Sequence, residues 1–217
     1  KLKKIIIEKK MIPHNRPTLG REEELASKKV LKTKNLSTNY EVKKFEDKLC
    51  KFLNIPKGHA VVCSSGTAAL FLALKVLKAE KKKIAFPSYV CSALRHATGL
   101  VGGKEIIIDV EKNSPNTSMD LIKKSKADIA IIPHIYGLPI KFKNIKGMDV
   151  IEDCCHTLGA KVNKKSVGLT GKLGIFSFYT TKLITSGGHG GAVISKEKKL
   201  INKILNYLNF DLRKDKK

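Results

Sequence analysis

Lys182 ends the run Phe176-Ser177-Phe178-Tyr179-Thr180-Thr181-Lys182 and is followed by the glycine-rich stretch Ser186-Gly187-Gly188-His189-Gly190-Gly191. A lysine just past a short apolar strand, with a hydroxyl five residues upstream and flexible backbone after it, has the setting of an amine that holds an aldehyde cofactor covalently and later moves its proton. On residue type alone the same lysine reads as a solvated surface charge. Ser64-Ser65-Gly66-Thr67 follows a second apolar run and opens a strongly apolar helix. Free N–H groups at a helix start, two hydroxyls and a glycine that admits a close ligand make a phosphate seat. Taken alone, the segment reads first as an ordinary N-cap with Ser65 or Thr67 as the capping residue. It is not a Walker loop, since the second glycine and the lysine are missing.

A third group is acidic. Glu152-Asp153 stands at the carboxyl end of the apolar run 148–151, where an α/β sheet presents its ligand-binding groups. A carboxylate there can pair with a protonated ring nitrogen and keep it cationic, which is the electron sink a pyridoxal ring requires. An acidic residue at a strand end is also a common cap or solvated charge. His156, three residues after Asp153, falls where it would meet the same ring, although a loop histidine is often only a polar surface residue.

The elements that must position these groups alternate along the chain. Helical patterns at 21–31 and 40–52 flank the polar turn 35–39, and the second places Val42, Phe45, Leu49 and Phe52 on one stripe at i, i+3, i+7 and i+10. Short apolar runs at 60–63, 84–86, 105–109, 128–132, 148–151, 173–178 and 192–195 read as buried strands. The helix expected over 67–78 is apolar nearly all round and should be buried. Such alternation predicts an α/β domain with a largely parallel sheet and a ligand crevice beyond the carboxyl ends of its strands. No internal repeat or low-complexity linker divides the chain.

Composition narrows the class further. The 217 residues carry 42% apolar and 29% charged side chains, as a globular protein does. A formal net charge of +24 invites a nucleic-acid partner, but the cations are nearly all scattered lysines. Arginine occurs only at Arg16, Arg21, Arg95 and Arg213, so the guanidinium fork used for base and phosphate recognition is scarce. The reading is therefore a solvated lysine-rich surface rather than a nucleic-acid interface. Cys50, Cys63, Cys91, Cys154 and Cys155 form no CxxC pair and suit a reducing compartment. The longest apolar runs are too short to span a bilayer and the basic amino end lacks a signal-peptide core, so a cytoplasmic protein without membrane or metal is expected.

Taken together, these segments resemble the DegT/DnrJ/StrS family of sugar aminotransferases, within the fold type I, or aspartate aminotransferase, superfamily. The resemblance runs from about Ile12 to the end of the chain. Its blocks are Ile12-Pro13 with Arg16-Pro17, Leu36-Ser37-Thr38, Ser65-Gly66-Thr67-Ala68-Ala69-Leu70, Pro87-Ser88-Tyr89, His134-Ile135-Tyr136-Gly137, Val150-Ile151-Glu152-Asp153, Gly159-Ala160, and Phe176-Ser177-Phe178-Tyr179 through Lys182. It implies a three-layer α-β-α large domain with a mainly parallel seven-stranded sheet. Residues 1–55 would be a helical segment packed on that domain, residues 56–217 would bind pyridoxal 5'-phosphate, and a smaller carboxyl-terminal domain would be absent.

The resemblance assigns Lys182 as the covalent attachment point and proton shuttle, and Asp153 as partner of the pyridine nitrogen. His156 would lie beside the ring and its hydroxyl, with Ser65, Gly66, Thr67 and Ser177 around the phosphate. At the ring-stacking position the alignment points to Cys91, while Tyr89 is the nearest aromatic and the better contact on chemical grounds. The implied activity is transfer of an amino group from an amino acid, with glutamate expected, to a keto sugar nucleotide in polysaccharide or amino sugar synthesis by a homodimer. A dehydratase branch of the family replaces the lysine with histidine, and Lys182 argues against it. The other class of reading is a truncated or degenerate non-catalytic relative, or a basic protein that binds nucleic acid or an acidic partner.

Overall fold

A computed structural model of the chain describes Ile12, residues 15–37 and residues 40–208. Pro13 and Thr38 of the resemblance blocks, Asn39 of the expected turn and the charged string Arg213 to Lys217 lie outside the described residues. In chain order the elements begin with α1 (Arg21–Thr33), α2 (Tyr40–Leu53), β1 (Ala60–Cys63), α3 (Gly66–Val76), β2 (Lys83–Pro87), α4 (Ala93–Leu100) and β3 (Lys104–Ile108). There follow α5 (Met119–Lys124), β4 (Ile129–Pro133), a 3-10 turn (Ile135–Gly137), β5 (Asp149–Asp153), and the short strands β6 (Lys161–Val162) and β7 (Lys165–Ser166). The last are β8 (Leu173–Ser177), β9 (Gly191–Ile194) and α6 (Lys198–Leu208).

Seven of these strands form one sheet in the order β1-β9-β8-β5-β4-β2-β3, and β6 pairs with β7 in a separate hairpin. The pairs β3-β2, β2-β4, β4-β5 and β5-β8 are parallel, while β9 runs antiparallel to both of its neighbours. All seven runs read as strands from the sequence enter this sheet, with ends that agree to within two residues.

Side-chain alternation at period two explains the layers. Ile129, Ile131, Ile151, Leu173, Ile175 and Val193 point to one face and pack under α3, α4 and α6. Phe176, Ala192 and Ile194 point to the other, against Leu49, Cys50 and Leu53 of α2. Ala130, Ile132 and Val150 meet Ile122 of α5 on that same side. Helix α3 is buried along Ala69, Leu70, Leu72, Ala73, Leu74 and Val76, as its composition requires.

The stripe expected on α2 needs correction. Leu49, Cys50 and Leu53 are its buried positions, and Phe52 is 59% exposed. An i, i+3, i+7, i+10 pattern locates a helix but leaves its rotation open by one residue, and a buried cysteine such as Cys50 packs as a small hydrophobe. Helix α1 buries no residue.

Candidate active site

The row Cys63, Gly191, Ser177 runs straight across β1, β9 and β8, because Gly191 is the register partner of both other residues. That row brings the start of α3 next to the end of β8. A Cβ on Gly191 would collide with the Ser65 carbonyl oxygen, so only glycine permits this approach. At the turn itself the Ser65 hydroxyl caps α3 by accepting from the Ala68 N–H at 3.0 Å. The N-cap reading of Ser65 thus holds, and it leaves the Gly66 and Thr67 N–H groups of the first turn without an intrahelical acceptor. A Cβ on Gly66 would stand 2.8 Å from Ser177 Cβ and 3.1 Å from its Oγ. The space over Gly66 is consequently shared between the helix start and the Ser177 hydroxyl.

Asp153 ends β5, in register with Pro133 of β4 and Ile175 of β8. By alternation it shares the α3 face with Ile151, while Glu152 takes the opposite face. The Asp153 Oδ1 accepts the Cys155 N–H at 3.0 Å, which fixes the carboxylate at the edge of the sheet. His156 follows in the next turn. Its ring lies parallel to that of Tyr136 at 6.1 Å with an interplanar angle of 13°, and burial followed by the nearby Lys182 charge pushes its pKa down against the opposing pull of Asp153. Tyr136 adopts a left-handed backbone, φ +52°, unusual for a bulky residue. Lys182 is half-buried, and its N–H donates to the Tyr179 carbonyl at 2.9 Å.

These groups surround one cavity of about 470 Å³ at the carboxyl edge of the sheet. Ser65, Gly66, Thr67, Cys91, Asp153, His156, Ser177 and Lys182 all line it. Tyr89 does not line this cavity: it is exposed, and its hydroxyl bonds to that of Tyr136 at 2.6 Å. Its ring packs edge-on against Tyr136 instead. Cys91 is the member of the pair that faces the cavity, so the chemical preference for an aromatic contact gives way to the backbone path after β2. His134 and His189 also line the cavity; the sequence shows them only as members of the His134-Ile135-Tyr136-Gly137 block and of the glycine-rich stretch, with no role of their own.

A second space of about 900 Å³ adjoins the first and shares Cys155, His156, Thr181 and Lys182 with it, while Tyr136 lines the larger one alone. The amino-terminal segment forms its far wall, with Arg16, Pro17 and Thr18, and Asn15 is tied down by donating to the Thr181 carbonyl at 3.1 Å. Lys182 stands between the two spaces.

Pyridoxal phosphate fits the residues present. The cleft over Gly66 that a side chain would fill, ringed by donors, suits a dianion; Asp153 suits a cationic ring nitrogen; Lys182 suits an aldehyde.

Comparison with known proteins agrees with this geometry. The model of the DegT/DnrJ/EryC1/StrS aminotransferase family matches residues 17–217. The chain is 34% identical over 161 residues to a UDP-N-acetyl-3-dehydro-alpha-D-glucosamine 3-aminotransferase of Acidithiobacillus ferrooxidans, covering 70% of this chain and 44% of that protein. It is 30% identical over 209 residues to a GDP-perosamine synthase of Escherichia coli O157:H7, covering 91% and 57%. A putative sugar aminotransferase from Streptococcus pneumoniae, solved in its PLP form, superposes with a TM-score of 0.81 at 20% identity over 89% of this chain and 57% of that one. The fold is that of the fold type I aminotransferases. The chain spans about half the length of the curated relatives it matches.

Proposed function

The chain belongs to the DegT/DnrJ/EryC1/StrS aminotransferase family, and from that premise we propose that the whole protein is a pyridoxal-phosphate aminotransferase acting on a keto sugar nucleotide. The observation that carries this reading is the convergence of Lys182, Asp153, Ser177 and the Gly66 turn on one cavity. Relatives named as an aminotransferase and a transaminase of UDP-linked sugars support the substrate class; the donor in this reading is an amino acid, glutamate first.

In this reading the Gly66 and Thr67 N–H groups, the Ser177 hydroxyl and the dipole of α3 hold the cofactor phosphate. Asp153 keeps the ring nitrogen protonated, and His156 supports the ring beside it. The bound cofactor supplies an electron sink for the substrate carbon. Lys182 Nζ would be the attachment point for the cofactor aldehyde and, as a free amine, the base that moves the proton at the substrate carbon. Its place between the two spaces suits that double duty, with the larger space taking the sugar nucleotide.

Among the described residues, those from 56 to 208 would form the cofactor-binding unit, with α2 of the preceding segment packed on it. The whole protein works in the cytoplasm as a homodimer; among the described residues no helix is long and apolar enough to cross a membrane. The test is a spectrum of the protein with added pyridoxal phosphate. A visible or near-ultraviolet band that borohydride abolishes and that Lys182→Ala lacks is expected, together with amino transfer from glutamate to a keto sugar nucleotide. No such band in the wild-type protein would overturn the assignment.

A further inference from the structure

Glu152 is 1% exposed, and its carboxylate meets four donors. Oε2 accepts from His134 Nε2 at 3.1 Å and from the Gly168 N–H at 2.9 Å. Oε1 accepts from the Thr170 N–H at 2.7 Å and the Gly171 N–H at 2.8 Å. The Ile140 N–H donates to His134 Nδ1 at 3.1 Å, so that nitrogen carries the lone pair and the ring hydrogen sits on Nε2, aimed at Glu152. With two donors on each oxygen, a protonated acid would set its own hydrogen against one of them. The geometry therefore requires the ionised form.

The same arrangement answers a second question. His134, Glu152 and Cys154 bring potential ligand atoms within 4.8 Å of one another, as a metal site would. Both His134 nitrogens are already engaged, and the Cys154 thiol lies 3.8 Å from the Glu152 carbonyl as a donor. The cluster is a hydrogen-bonded clamp.

What the clamp holds is the end of β5. Glu152 joins β5 to the residue after β4, through His134, and to the turn 168–171 that leads into β8. Asp153 is its immediate neighbour on the opposite face, and the His134 N–H donates to the Asp153 carbonyl at 3.1 Å. We propose that Glu152 is the positioning residue of the site: an ionised carboxylate that pins the end of β5 from behind and thereby aims Asp153 into the cavity. The role is additional to the proposed function and rests on it for the meaning of Asp153, but the clamp is measurable without cofactor.

The test is amide hydrogen exchange, read by NMR on the protein without cofactor. Three amides, Gly168, Thr170 and Gly171, report the clamp, and the Cys155 amide reports Asp153, whose Oδ1 it meets. In Glu152→Gln the side-chain NH₂ faces two donors whichever way the amide is turned, and a switched His134 tautomer would set Nδ1–H against the Ile140 N–H. Protection of all four amides is expected to fall at least tenfold. If Gly168, Thr170 and Gly171 lose protection while Cys155 keeps its own, Glu152 is only a turn anchor and the proposal is overturned. Should Glu152→Gln not fold, His134→Gln, which retains an N–H for Oε2, is expected to keep wild-type protection at Cys155, and His134→Leu to lose it. Equal protection in both would overturn the proposal. Absence of the borohydride-sensitive band in wild-type protein would sink the cofactor assignment and leave these exchange results standing by themselves.

Discussion

Ser177 Oγ lies 3.1 Å from where a Cβ on Gly66 would stand, so the end of β8 and the start of α3 share a single gap. That gap exists because Gly191 pairs with Ser177 on one side and Cys63 on the other. Gly66→Ala is expected to push on Ser177 Cβ, 2.8 Å away, and to cost about 1–3 kcal/mol of overpacking strain. It should also obstruct the phosphate seat. A pyridoxal phosphate titration is expected to show at least tenfold weaker binding in Gly66→Ala, and a similar loss in Ser177→Ala from one missing charge-assisted hydrogen bond, worth about 1.5–3 kcal/mol. Unchanged affinity in both variants would remove the phosphate from this gap.

Asp153→Asn preserves shape and removes charge. The Cys155 N–H can still donate to an amide oxygen, so the fold should hold. A neutral amide no longer keeps a ring nitrogen cationic, so the variant is expected to form the borohydride-sensitive band but to turn over about a hundredfold more slowly or worse. Wild-type turnover would take Asp153 out of the site.

The division of labour between Glu152 and Asp153 shows how far the sequence carries. Alternation along β5 and β8 is visible in the apolar residues, and it already implies that Asp153 and Ser177 share the face of Ile151 and Ile175. What Glu152 meets is not visible, because its partners sit 16 to 19 residues away in a turn and beyond β4. Read from the sequence it was one half of an acidic pair. The β6-β7 hairpin escaped notice for a local reason: its turn residues Asn163 and Lys164 both take positive φ without a glycine to announce it. Helix α6 does carry a helical spacing in Leu200, Ile201 and Ile204, which is legible in the sequence. Side-chain chemistry alone favours Tyr89, but it is the path of the backbone that brings Cys91 to the cavity and leaves Tyr89 with Tyr136.

His156 gives a pH dependence with a definite sign. Burial, then the Lys182 charge, disfavours its imidazolium, and Asp153 only partly opposes them, so its pKa lies below 6.5. As pH falls the unfolded chain takes up this proton before the folded one does. Stability from this group is therefore full above about pH 6.5 and declines as pH drops toward the folded value. Thermal melts of wild type and His156→Gln are expected to diverge in slope between about pH 5 and 7, with the variant flatter. Parallel curves would mean that burial and Lys182 together do not depress the His156 pKa.

The rim of the two cavities carries apolar side chains that a finished active site would not leave in water. Tyr136 is 65% exposed and Leu183 66%, and Tyr179, Ile184 and Leu19 are also exposed on the walls. The residue pair Tyr89 and Tyr136 extends this surface outward from the mouth. Apolar rims of this kind mark an interaction surface when they are contiguous. The expected cover is a second copy of the protein, which would close both spaces and exclude water from Lys182. Light scattering after size-exclusion chromatography should give twice the chain mass. Leu183→Glu, a rim change that leaves Lys182, Asp153 and the Gly66 turn in place, should shift the protein toward monomer and weaken cofactor binding together. A monomeric wild-type protein, or a Leu183→Glu monomer that binds cofactor as tightly as the dimer, would show that the site is complete within one chain.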